Sequence, residues 1–185
     1  MKFLPKLFGL LALGAAVAAC DVTPEEENEE ELITTLRITF TETGTTNTVT
    51  AEFQDLDGDG GNAPTLTNPT FSANTTYSAA IEVLNESETP AEDITAEVKE
   101  ESAEHQFFFQ ASNGSGITTE YTDEDGSGNP LGLTFNLTTT DAGTGTLIVT
   151  LRHEPNKSAT GVSGGDITNA GGETDIEVTF DVTVQ

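Results

Sequence analysis

The stretch IEVTFDVTV, residues 176–184, places Ile176, Val178, Phe180, Val182 and Val184 on one side of an extended chain. Its intervening residues are acids and threonines. A repeat of two residues, rich in β-branched side chains, is the signature of a half-buried β-strand, whereas a helix would repeat every three to four. The same alternation recurs at Leu36-Ile38-Phe40, Val49-Ala51-Phe53, Tyr77-Ala79-Ile81-Val83, Leu133-Phe135-Leu137 and Leu147-Val149-Leu151. Phe107–Phe109 and Ile117–Tyr121 bring the count to about eight strands, separated by Gly, Asn, Asp and Pro. The pattern predicts an all-β fold, an antiparallel two-sheet β-sandwich of the Ig-like kind with one short helix.

That helix is expected from Pro90 to about Glu104. Thr89 offers an N-cap, Pro90 suits the first helical position, Glu92 can close a capping box, and Ile94, Val98 and Ser102 form one stripe. Residues 155–174, rich in Gly, Thr and Asn, read as a long loop of the sort that is usually functional or mobile.

The first twenty residues, MKFLPKLFGLLALGAAVAAC, combine Lys2 and Lys6 with an apolar run from Leu7 to Ala19. The run is too short to span a bilayer and suits a signal peptide. Val17-Ala18-Ala19-Cys20 resembles a bacterial lipobox, so residues 1–19 are expected to be removed and Cys20 lipidated. Residues 20–32 then form an acidic tether, with six glutamates among residues 25–31, and residues 33–185 form the sandwich domain. An acidic stretch after the lipidated cysteine resembles a surface-export signal, while Asp21 resembles a retention signal of enteric bacteria. Cell-envelope location at the outer membrane is expected, on its periplasmic or surface face.

The chain carries 32 acidic and six basic side chains, a net charge of −26. Removal of Lys2 and Lys6 with the leader would bring this to −28. Such a charge repels phosphate backbones and anionic lipid, which excludes nucleic acid as a partner and leaves a lipid anchor as the route to the membrane. It favours cations. The single cysteine excludes an internal disulfide and any cysteine-based zinc cluster.

Two acidic loops are calcium candidates. Asp55, Asp57 and Asp59 stand in DLDGDG, and Asp123 and Asp125 in DEDGSG. An EF-hand needs an acid at the twelfth position, where these loops have Leu66 and Thr134, so that motif is excluded. Either loop alternatively serves as a turn after a strand. A second candidate is a zinc or copper site. His105 is preceded by Glu104 and His153 is followed by Glu154, both at the ends of expected elements, and imidazole with carboxylate suits those ions. Gly161-Val162-Ser163-Gly164-Gly165 matches the G-x-S-x-G pattern, but no strand-to-helix elbow surrounds it. With no phosphate-binding Gly loop and no tryptophan, the chain is expected not to be an enzyme.

The motifs DLDGDGG, ETPAEDIT, EHQFFF, LRHEP and GGETDIEVTFDVTV together resemble an uncharacterised family of Bacteroidota lipoproteins. The resemblance covers residues from about 32 onward and implies an outer-membrane uptake setting beside a TonB-dependent receptor. Some members carry the label of a type 1 periplasmic binding fold, which needs two lobes of alternating strands and helices. The resulting expectation is a lipid-anchored, non-enzymatic module that binds a small ligand or metal ion. The alternative is a calcium-stiffened structural or adhesive surface module.

Overall fold

A computed structural model describes residues 32–185 except Asp59. The expected signal peptide, Cys20, nearly all of the tether, and Asp59 of the first acidic loop lie outside the described residues. Ten strands, one α-helix and two short 3₁₀ turns make up the described chain. The strands are β1 (Thr35–Glu42), β2 (Thr48–Gln54), β3 (Thr65–Thr67), β4 (Thr70–Phe71), β5 (Thr76–Leu84), β6 (His105–Ala111), β7 (Ile117–Tyr121), β8 (Thr134–Thr139), β9 (Gly143–His153) and β10 (Glu173–Val184). They form two sheets, ordered β3-β2-β1-β5-β8-β7 and β4-β10-β9-β6. This is the all-β sandwich that the alternation predicts. All pairings are antiparallel but one, because β4 runs parallel to the end of β10.

Alternation becomes burial directly. Along β5, Tyr77, Ala79, Ile81 and Val83 are buried while Thr76, Ser78, Ala80 and Glu82 are exposed. The inner faces meet in one core, with Leu36, Ile38, Phe40 and Phe135 from the larger sheet against Leu147, Val149, Leu151 and Phe180 from the smaller. Each such side chain contributes about 1.5–3 kcal/mol by leaving water. Phe40 meets Phe71 and Phe135 edge-on, with ring centroids 5.0 and 6.0 Å away. The T-shaped geometry sets positive ring edges against negative faces.

Helix α1 spans Ile94–Glu100, starting four residues later and ending about four earlier than the capping pattern predicts. Glu92, the expected box residue, instead exchanges backbone hydrogen bonds with Asn85 just past β5. That pairing keeps the chain extended through Glu92, so Asp93 becomes the N-cap. Ile94 and Val98 still point into the core, and the Thr95 hydroxyl bonds both the N–H and the C=O of Val83. The helix thereby closes one end of the sandwich.

Residues 155–174 are packed, not loose. Asn156 N–H donates to the Ala170 carbonyl at 2.7 Å and closes the segment. Val162 and Ala170 cover Phe108 on the outer face of β6, and Gln106 Nε2 donates to the Val162 carbonyl at 3.0 Å. Three consecutive phenylalanines leave β6 apolar on both faces, so both must be covered.

Candidate functional site

The antiparallel register of β6 and β9 pairs His105 directly with His153. Phe107, two residues along β6, directs its N–H to Leu131 and accepts from the Tyr121 hydroxyl, so its backbone faces away from β9. His105 shares that orientation by the two-residue repeat. Facing residues of such non-hydrogen-bonded pairs lie closest, with Cα atoms about 4.5 Å apart. The two imidazoles accordingly stack, with centroids 4.6 Å apart and planes at 15°.

One step further along the pair, Glu104 meets Glu154, whose N–H donates to the Glu104 carbonyl at 2.6 Å. Thus Glu-His on one strand and His-Glu on the other become a mirror-image cluster. Glu104, His153 and Glu154 bring one ligand atom each within 4.8 Å of one another. His153 Nε2 lies 3.9 Å from Glu104 Oε2. Glu154 has a φ of +49°, a left-handed backbone conformation that costs a non-glycine residue about 1–3 kcal/mol.

His105 is different in kind. Its side chain is 1% exposed, behind His153. Its Nδ1 lies 3.3 Å from the Glu101 carbonyl just beyond α1, which fixes the proton on Nδ1. Its Nε2 faces Asp175 Oδ2 at 3.8 Å, too far for a hydrogen bond. His105 directs one nitrogen at the Glu101 carbonyl and the other towards Asp175, and it does not join the group that Glu104, His153 and Glu154 form. The four expected ligands therefore divide into three that converge at the surface and one buried ring that backs them.

Asp175 is a residue that strand reasoning misses. Strict alternation puts it outside, between Thr174 and Ile176. A register shift between those two residues breaks the parity, and the Asp175 side chain is only 4% exposed. A β-bulge re-aims a side chain in this way, and bulges gather next to functional sites.

Burial lowers the His105 pKa below its ordinary value, and the neighbouring His153 works in the same direction. The Glu101 carbonyl and the charges of Glu101 and Glu104 oppose that shift without cancelling it. With the folded pKa depressed, the unfolded chain binds more protons as pH falls through about 6.5, so stability drops on acidification. The urea midpoint is expected to fall between pH 7.5 and 5.5, and His105→Gln should flatten that slope. Identical slopes in the two proteins would remove His105 from the linkage.

The acidic loops use their carboxylates internally. Asp55 Oδ1 accepts from Gly58 N–H at 3.0 Å, and Asp57 Oδ2 accepts from Asn62 N–H and Nδ2 at 3.0 and 2.7 Å. These Asn62 bonds hold the Asp57 pKa below its usual value. Asp123 accepts from Gly132 and Thr134 N–H at 2.7 and 2.9 Å. Asp125 accepts from Ser127 and Asn129 N–H and from Lys157 Nζ, the last at 3.2 Å. A cation at Asp125 would have to displace a buried ammonium. Among the described residues, the aspartates of these loops form no converging group of three; Glu104, His153 and Glu154 do.

Lys157 is the other residue whose role the sequence hides. Its ammonium also donates to the carbonyls of Ser102 at 2.6 Å and Pro130 at 3.1 Å. It thus ties the end of the helical segment and the second acidic loop to the packed segment 155–174. Ser163 of the G-x-S-x-G match lies in the 3₁₀ turn Val162–Gly164 and lines a cleft to which neither histidine contributes. The chain matches no family model, no curated protein and no solved structure.

Proposed function

We propose that this protein is a lipid-anchored, non-enzymatic module of the cell envelope that binds a divalent transition-metal ion, zinc or copper, through Glu104, His153 and Glu154. The observation that carries the reading is the convergence of those three side chains at one end of the sandwich. One imidazole nitrogen and two carboxylate oxygens make a donor set that zinc and copper accept, with a position left for water. The net charge of −26 concentrates cations around the domain. His105, stacked at 4.6 Å, supports the ring of His153 from behind. The lipid anchor rests on the Val17–Cys20 motif, and a place beside a TonB-dependent transporter rests on the lipoprotein resemblance.

Zinc titration of the full chain, followed by calorimetry, tests the site. His153→Ala is expected to weaken binding by roughly 10–100-fold or more, since it removes the sole nitrogen ligand. Affinity should also fall on acidification, because protons compete with the metal for its ligand atoms. Equal binding by the wild type and His153→Ala would end the proposal.

A further inference from the structure

The ligand side chains of the histidine-glutamate site are turned to solvent. Glu104 is 58% exposed and Glu154 is exposed, while the His153 side chain keeps 14% of its surface in water. Among the described residues, no fourth histidine, cysteine or carboxylate joins them. Structural zinc sites are closed by four protein ligands, whereas a three-ligand site leaves a coordination position to water. With both carboxylates at the surface, that position is open to solvent.

The ligand residues are held in place by hydrogen bonds that involve no ion. Glu154 N–H donates to the Glu104 carbonyl at 2.6 Å, and Glu104 N–H donates to the Glu101 carbonyl at 2.8 Å. The register of β6 and β9 continues into this pair from His105 and His153. In a structural site the ion supplies folding free energy, and its removal unfolds the chain. Here the side chains can release an ion one at a time while the strands stay paired. The donor set is one imidazole and two carboxylates, without the soft thiolates that favour zinc and copper(I).

Resting on the metal-binding reading above, we propose that the ion is cargo, passed by ligand exchange to an acceptor that presents neutral nitrogen donors. An acceptor lone pair forms a bond to the ion at the water position, and the water leaves. The two exposed carboxylates then depart as further acceptor nitrogens bind. His153, the least exposed of the three, releases last. The ion keeps its charge throughout, and no co-reactant is consumed.

The acceptor's charge follows from the protein surface. The net charge is −26, and Glu100 and Glu101, both exposed, adjoin Glu104. Such a surface repels acceptors rich in carboxylate and leaves neutral, imidazole-like donors free to approach.

Stopped-flow transfer of zinc from the loaded full chain tests this. The probes are terpyridine, a neutral chelator with three nitrogens, and its tricarboxylate derivative, which has the same nitrogens and the same chromophore. The transfer rate is expected to rise in proportion to terpyridine concentration. The tricarboxylate should react slower by about tenfold or more at low salt. That gap should shrink between about 0.01 and 0.1 M salt, as the screening length falls from about 30 to 10 Å. Zinc mixed with His153→Ala is the blank and should react as free zinc does. A rate from the loaded wild type that is the same at every terpyridine concentration would overturn the exchange while leaving the site intact. Equal rates for the two probes at low salt would overturn the choice of acceptor. If calorimetry finds no zinc on the wild type, the site itself falls and the exchange with it.

Discussion

Lys157→Met is expected to lower the free energy of unfolding by about 3–5 kcal/mol, the usual cost of breaking a buried ion pair by removing one partner. The Lys157 and Asp125 side chains are only 5% and 2% exposed. Burial pushes the Lys157 pKa down, and Asp125 pulls it back. For Asp125, burial works to raise the pKa, but the N–H groups of Asn129 and Ser127 together with Lys157 outweigh it and hold the carboxyl at about 2. Methionine would fill similar space and leave that carboxylate charged with no cation beside it. It would also strand the carbonyls of Ser102 and Pro130. The double change Lys157→Met with Asp125→Asn removes the orphaned charge and keeps an oxygen for the two N–H donors. It should therefore be more stable than Lys157→Met alone. Urea unfolding of Lys157→Met, Asp125→Asn, the double variant and the wild type provides the check. A double variant that loses the sum of the single losses would show that the pair is not coupled. The depressed Asp125 pKa gives a second readout: its contribution is complete above about pH 4 and is lost as pH falls towards 2.

Gly172→Ala is expected to cost roughly 2–5 kcal/mol, combining left-handed backbone strain with overpacking. Gly172 has a φ of +69°, and a Cβ there would press into the His153 carbonyl oxygen. It would also lie 2.9 Å from the carbonyl carbon of Glu154 and 3.0 Å from its oxygen. No side-chain rotation relieves such contacts, because every crowded atom is backbone. The His153–Glu154 backbone would have to move, so zinc binding should fail together with stability. Gly171 is the matched control, with a φ of +62° and nothing within 4 Å of its Cβ. Gly171→Ala therefore bears the conformational cost alone, about 1–2 kcal/mol, and should keep the metal site. Similar losses in the two variants would show that the close approach at Gly172 does not matter.

The long strands were legible because burial enforces a two-residue repeat over many residues, as in β5 and β10. β3 and β4 were not, since three residues and two residues are too few to display a period. The start of α1 departs from its capping signal for a different reason. Thr89, Pro90 and Glu92 make a sound local signal, but Asn85 claims the Glu92 backbone from across a turn, and tertiary pairing prevails over capping. In the site, the paired Glu-His and His-Glu sequences pointed at the right strand ends. What they could not convey was the register that stacks the rings, or the bulge that turns Asp175 inward. Lys157 was invisible because its partners lie 27, 32 and 55 residues away in sequence.

The parallel contact between β4 and β10 bears on the order of events as the chain folds. Thr70 and Phe71 pair with Thr183 and Val184, and Gln185 exchanges backbone hydrogen bonds with Phe71 and Ala73. Between β4 and its neighbour β10 lies more than half of the chain. Closing so long a loop is entropically costly, and such topologies fold in milliseconds to seconds, not microseconds. A chain delivered from its N-terminus can assemble β1, β2 and β5 early, but Leu147, Val149 and Leu151 stay uncovered on one flank until β10 arrives. Commitment to the native state therefore waits for the last strand, and a chain still being threaded through a pore would remain pliable until that strand emerged.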